Sequence, residues 1–293
     1  MDYLLHVLIL IGIYIILAVS LDLMAGYAGM LSLAQAAFFG IGAYSFALMS
    51  NRVAGGFLVV IGCAAAFSGM VGACVGYPSL RIRTEYFAIT TLGVQVVLSS
   101  LFNNCVSLTG GPMGMTNIPA PIIGRWVASS KLSYLILTAV AVGLVIAVSR
   151  LLVCRYTGRV LRAIREDEVF TESLGINVAG YKITISAISA SMAAVAGCIY
   201  AAYFSFIDPS SFSLTESVAI VSAVILGGAG SVFGPALGAA LLISIPEALR
   251  FVGLTTATVA NLRQILYGSV LVILMLVRPR GLVGQFDFGR KAR

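Results

Sequence analysis

Side chains able to do chemistry are scarce in this chain, and their densest group falls in one stretch, CRYTGRVLRAIREDEVFTESLGIN, residues 154–177. Arg155, Arg159, Arg162 and Arg165 are followed there by Glu166, Asp167, Glu168 and Glu172. Arg162 and Glu166 stand four apart and Arg165 and Glu168 three apart, spacings at which opposite charges meet on a helix for about 0.2–0.5 kcal/mol each. Thr157 reads as an N-cap. Leu161, Ala163, Ile164, Phe170 and Leu174 supply apolar contact points, and Gly175 followed by Ile176 reads as a left-handed stop. The pattern predicts a short surface helix that docks a partner protein; a solvated charged loop is the alternative. Nothing in it makes or breaks bonds. No lysine follows a glycine as a phosphate-cradling loop requires, since Lys131, Lys182 and Lys291 follow Ser130, Tyr181 and Arg290. His6 is the sole histidine, which leaves no HExxH and no Ser/His/Asp set. The five cysteines, Cys63, Cys74, Cys105, Cys154 and Cys198, are scattered and read as small packing residues rather than metal or disulfide partners.

A second group of residues is polar without charge. GYAGMLSLAQAAFFGIG, residues 26–42, has the greasiness of a membrane span yet carries Gly26, Gly29, Gly40, Gly42, Ser32 and Gln35. Thr90, Thr91, Gln95, Ser99 and Ser222 lie in other apolar runs. Hydroxyls and amides of this kind either line a wetted path or hydrogen-bond between helices. Gly26-Tyr-Ala-Gly29 is matched 201 residues later by Gly227-Gly228-Ala-Gly230, and an apolar run follows each. Such a match hints at the internal duplication that transporters use. Gly72–Gly76, Gly230–Gly234, Gly234–Gly238 and Ser189–Ala193–Gly197 have the small-xxx-small spacing that lets helices approach closely in lipid.

The elements that carry these residues follow from composition. Of 293 residues, 60% are hydrophobic and 10% charged. Windows 3–21, 23–51, 53–80, 86–124, 132–149, 183–207, 217–246 and 264–277 contain no charge at all. About 20 apolar residues cross a bilayer core, so the fold class is an all-α polytopic membrane protein of about 8–10 helices. One transmembrane domain is expected over 1–293. Nine spans are expected, at 3–21, 30–50, 57–76, 87–104, 132–150, 182–204, 216–229, 234–250 and 262–278, with 216–250 open to a re-entrant hairpin. The start, with Asp2 and a long apolar run, does not read as a cleaved signal. With the N-terminus outside and the C-terminus cytoplasmic, 13 of the 18 basic residues lie inside, as the loop-charge rule requires. The net charge of +7 is thereby explained without nucleic acid. Glu247–Arg250 and Arg83–Glu85 are expected as local pairs, and no span carries a mid-membrane carboxylate. The loop 105–131 holds SLTGGPMGMTNIPAP, with Gly110 and Gly111. It reads as a partly buried outer gate or docking loop, or as a plain connector.

Four segments then point to a family. GYAGMLSLAQAAFFGIGAY (26–44), LTGGPMGMTNIP (108–119), GRVLRAIREDEVFTESLGINVAGYK (158–182) and AVILGGAGSVFGPALGA (223–239) resemble the branched-chain amino-acid ABC transporter permeases of the LivM/LivH type, more closely on the LivM side. The likeness runs in order along nearly the whole chain; Phe170 and Thr171 stand where the family pattern has small residues. The resemblance implies a permease subunit in the bacterial inner membrane, in a heterodimer with a sister permease. It implies two ATP-binding cassette subunits and a soluble substrate-binding protein as partners. No cofactor is expected in this chain, ATP being used by the partner subunits, and the chain is not itself an enzyme. Arg159, Arg162, Arg165, Glu166, Asp167, Glu168, Glu172 and Gly175 become the expected ATPase-coupling residues. Gly26, Gly29, Ser32, Gln35, Thr90, Thr91, Gln95, Gly110, Gly111, Gly227, Gly228 and Gly230 become the expected path or hinge. Branched-chain or other apolar amino acids are the expected substrate, with urea or short amides as the alternative within the class. A stand-alone secondary transporter or channel is the rival from outside it.

Overall fold

The computed structural model describes residues 2–50, 56–80, 84–123, 126–127, 130–250, 268–269, 272 and 281–282. The expected span 262–278 lies outside these apart from Gly268, Ser269 and Val272, as do the Arg83 half of the Arg83–Glu85 pair and the side chain of Arg250. The helices are α1 (Asp2–Asp22), continued by a π-helical turn Leu23–Tyr27, α2 (Gln35–Ser50), α3 (Gly56–Gly76), α4 (Thr84–Asn104), α5 (Val106–Thr109), α6 (Lys131–Cys154), α7 (Tyr156–Glu166), α8 (Glu168–Ser173), α9 (Val178–Phe204), α10 (Leu214–Gly227) and α11 (Gly234–Arg250). Four two-residue strands make two antiparallel pairs: β1 (Met115–Thr116) with β4 (Phe206–Ile207), and β2 (Ile122–Ile123) with β3 (Trp126–Val127).

Among the described residues, five helices are long and apolar enough to cross a membrane: α1 with its π turn, α3, α4, α6 and α9. The polytopic all-α expectation therefore holds. Three others are short. α2, α10 and α11 have 16, 14 and 17 residues, which at 1.5 Å per residue gives about 21–26 Å against a core of about 30 Å. The second span does not begin as a helix at residue 30. Residues 28–34 are irregular, with Gly29 at φ +74°, and helix resumes only at Gln35.

α9 is the centre of the bundle, packed on α1, α2 and α3. Small residues make this possible. Gly69, Gly72 and Gly76 of α3 face Ser191, Ala190 and Ser186 of α9, and Gly42 of α2 lies on the backbone of Ala194. Serine hydroxyls then bridge the helices by donating to backbone carbonyls: Ser68 to Ala190 (2.9 Å), Ser186 to Gly72 (2.8 Å), Ser191 to Ala65 (2.9 Å) and Ser189 to Ser20 (2.7 Å). In lipid such bonds contribute about 0.6 kcal/mol each. Around this block, α4 and α6 leave rows of apolar side chains exposed, among them Val96, Val97, Leu101, Ile136, Val140 and Leu144, as lipid-facing helices should.

The molecule has two distinct ends. At one, Phe39, Tyr44, Phe102, Tyr200 and Phe212 form a continuous aromatic cluster. The loop after α4 joins the same end as its strand Met115–Thr116 pairs with Phe206–Ile207. At the other end lie α7 and α8, the end of α1 and the turn between α10 and α11.

Candidate functional site

The two GxAG segments, 201 residues apart in the sequence, touch in the structure. A Cβ on Gly26 would overlap both Asp22 Oδ1 and the backbone nitrogen of Gly230. Gly29 (φ +74°) and Gly230 (φ +81°), the last glycine of each segment, both take left-handed backbone that a side chain would strain. Asp22, at the end of α1 and only 1% exposed, ties the segments together: its Oδ1 accepts the Gly230 N–H at 2.8 Å. A carboxylate at a helix C-terminus opposes the helix dipole, so it needs positive partners. One arrives from α7. The Arg165 guanidinium donates from Nη1 to the Gly26 carbonyl, and its stem lies on Gly29, where a Cβ would come within 2.7 Å of Arg165 Cγ. Burial lowers the Arg165 pKa from the ordinary arginine value, while Glu166 and Asp22 act the other way. Arginine stays charged regardless.

Asp22 is the functional candidate that sequence reasoning missed. The available signal was an acid ending a 19-residue apolar run, where a basic residue would suit the dipole.

The charged segment departs from the single helix expected of it. It is two helices, broken at Asp167 (φ −151°, ψ 108°), whose Oδ1 caps α8 by accepting the Phe170 N–H at 3.0 Å. The N-terminal prediction is also corrected: α7 starts at Tyr156, with Arg155 rather than Thr157 at the cap position. Gly158 allows the sharp turn from α6, since a Cβ there would overlap Val153 O. Gly175 is the left-handed stop the sequence predicts, at φ +79°. Charges also reach across elements. Glu168 pairs with the buried Lys182 of α9 at 2.5 Å, and Arg162 lies over the Tyr27 ring at 5.6 Å. Arg159, Arg162, Glu166, Asp167, Glu172 and Gly175 are exposed, whereas Arg165 and Glu168 are half-buried. The apolar residues divide in the same way. Val160, Leu161 and Ile164 point inward; Val169, Phe170 and Leu174 point out and are 77%, 62% and 63% exposed.

Ser32, Gln35, Thr91 and Gln95 gather around the broken start of α2, and all are fully buried. The irregular backbone donors find side chains: Leu33 N–H to Thr91 Oγ1 (3.0 Å), Ala34 N–H to Ser32 Oγ (3.2 Å), Ala36 N–H to Ser217 Oγ (3.0 Å) and Ala37 N–H to Gln95 Oε1 (2.9 Å). Gln95 also donates to Phe212 O, 2.8 Å away. Gln35 donates to Ser20 Oγ at 2.6 Å and keeps a buried Oε1 with no partner among the described residues. Thr90 points elsewhere, donating to Tyr86 O in its own helix. Gly227 and Gly228 close the α10–α11 turn, Gly227 against Gly234 and Pro235. Gly110 and Gly111 shape the loop at the opposite end, both with positive φ. Glu247 accepts from the Tyr3 hydroxyl at 2.9 Å. His6 Nδ1 lies 2.7 Å from the Tyr203 hydroxyl. Among the described residues no His/Cys/Asp/Glu cluster could hold a metal, and all five cysteines are free. The arrangement suits mechanical rather than bond-making work.

Comparison with known proteins agrees in class. The family model described as "Branched-chain amino acid transport system / permease component" matches residues 3–275. The chain is 34% identical over 295 residues to the high-affinity branched-chain amino acid transport system permease protein LivM of Salmonella typhimurium, covering 92% of this chain and 68% of that one. It is 33% identical to LivM of Escherichia coli at the same coverage. With LivH of Escherichia coli it shares 28% identity over 93% of this chain and 91% of the other. No solved structure matches it. The match over nearly its full length, stronger to LivM than to LivH, places the chain in the branched-chain amino-acid transport permease family.

Proposed function

We propose that this permease is one transmembrane half of a binding-protein-dependent importer for branched-chain or other apolar amino acids, driven by separate ATPase subunits. A sister permease of the same family completes the pore, a soluble binding protein delivers substrate at the end carrying the 105–131 loop, and two ATP-binding cassette subunits dock at the α7–α8 end. The chain lies in the bacterial inner membrane with its N-terminus outside, so that α7 and α8 face the cytoplasm. It holds no ATPase site of its own. The family match favours this over a stand-alone transporter.

The observation that carries the reading is the two-sidedness of α7–α8. Its inner face grips the helix ends through Arg165, and its outer face presents Val169, Phe170 and Leu174 among exposed charges. An apolar cluster rimmed by charge, outside the bilayer, is the mark of a protein-docking surface. ATP-driven closure of the ATPase pair moves α7–α8, and the bundle switches access from one side to the other.

Replacing Phe170 and Leu174 with aspartate tests the docking face without touching the Arg165 contacts. ATPase co-purification should fall at least tenfold with the permease still inserted; an undiminished complex would place the ATPases elsewhere. Reconstituted alone in vesicles, the chain should concentrate nothing.

A further inference from the structure

We infer that Asp22 and Arg165 form a single positioning pair through which a movement of α7 is felt at both GxAG helix breaks at once. The inference rests on the importer reading above, since it assigns the inner face of the segment whose outer face receives the ATPase.

The connections are specific. Arg165 is the residue of α7 that reaches past the helix surface to the backbone of α1, at Gly26 O, and its stem fills the space left by Gly29. Asp22 sits one turn earlier on the same helix end and holds Gly230 through its backbone N–H at 2.8 Å. Gly26 and Gly230 lie in backbone contact, since a Cβ on Gly26 would overlap the Gly230 nitrogen. The π-helical turn Leu23–Tyr27 lies between Asp22 and the irregular backbone, and such turns sit where helices are locally remodelled. Cation, carboxylate and the two backbone breaks thus form one unbroken chain from the docking segment to both halves of the glycine repeat.

The pair behaves as a latch. With Arg165 seated, the buried Asp22 carboxylate has a cation near it and the two breaks are held together. When α7 is drawn outward the cation leaves. The Arg165 donation to Gly26 O and the stem beside Gly29 are then lost, and the Gly26–Gly230 contact is free to open. The transport cycle alternates between these arrangements.

The test uses the assembled complex of both permeases and the ATPases, with variants Arg165→Gln, Asp22→Asn and the two combined. Each single variant should lower amino-acid uptake at least tenfold. ATP hydrolysis should persist but lose its stimulation by loaded binding protein, an uncoupling that a merely destabilised permease would not produce. Because the two residues act as a unit, the double variant should be no worse than either single one. Arg165→Lys keeps the charge but loses the forked donor and should give intermediate uptake. If Arg165→Gln does not accumulate in the membrane, Arg165→Lys and Asp22→Asn, alone and together, make the same comparison. Uptake within twofold of the parent for both singles, or losses that multiply in the double, would overturn the latch. A parent complex that fails to assemble or to hydrolyse ATP would instead refute the importer reading itself.

Discussion

The two GxAG breaks share a motif but not a means of support. The first, leading into α2, is held from outside. Thr91 and Gln95 come from α4 and Ser217 from α10 to satisfy its backbone donors. The second, leading into α11, is partly self-capped. Ser231 accepts the Gly234 N–H at 3.1 Å and donates to Gly228 O at 3.2 Å. From elsewhere come Asp22 on the Gly230 N–H, the Arg150 guanidinium over the Phe233 ring at 4.5 Å, and the Leu282 N–H on Leu226 O at 3.0 Å. A break anchored to two other helices keeps its shape only while those helices keep their places. The contrast makes the α2 start the part of the repeat that reports on α4 and α10, and the α10–α11 turn the part whose local shape is set in good measure by its own Ser231.

The comparison breaks most completely at the glycines. Gly29→Leu and Gly230→Leu each put a side chain on left-handed backbone, costing roughly 1–2 kcal/mol or more before any overlap is counted. Uptake should vanish in both while membrane insertion, followed by immunoblot of the membrane fraction, stays intact. Normal transport in either would show that the breaks are not part of the working machinery. Next in size is Gln95→Ala. It removes one of two partners from the Ala37 N–H, which keeps Ala34 O at 3.1 Å, and from the Phe212 carbonyl, which keeps Ser99 Oγ at 3.3 Å, at about 0.5–1.5 kcal/mol for each bond lost. The melting temperature of the purified permease should drop by several degrees. The smallest effect belongs to Ser231→Ala, which removes a local cap at about 1 kcal/mol. Should Ser231→Ala destabilise as much as Gln95→Ala, the distinction between an anchored and a self-capped break is lost.

Much of this architecture is legible in the sequence. Charge-free windows give the five long spans among the described residues, Gly175 gives the end of α8, and the repeated GxAG gives the paired break. What stays hidden is what depends on partners far along the chain. Thr91 and Gln95 each meet residues 58 positions away, and Ser217 reaches back 181. No periodicity records such meetings. A buried threonine on a lone helix looks the same whether it lines a path or caps a neighbour. Asp22 is obscured for a related reason. At the end of an apolar run it reads as a residue reaching water, and only the arrival of Gly230, 208 residues later, reveals a buried acceptor. The split of the charged segment into α7 and α8 escapes because Asp167 is as acceptable inside a charged helix face as at a cap. The Glu168 pairing with Lys182 escapes as well, because the sequence places Lys182 inside a different span.

The serine bridges that bind α9 to α3 and α1 have a further consequence for motion. Each hydroxyl meets one particular carbonyl, and the glycines beside them fit single neighbours, so the block has one register. Sliding α9 along α3 by a turn, about 5.4 Å, would break every bridge and drive Ala190 and Ser191 out of the hollows beside Gly72 and Gly69. A ratchet of the central helix is thereby shut off, and α1, α2, α3 and α9 can take part in the cycle only by tilting together as one rigid wedge.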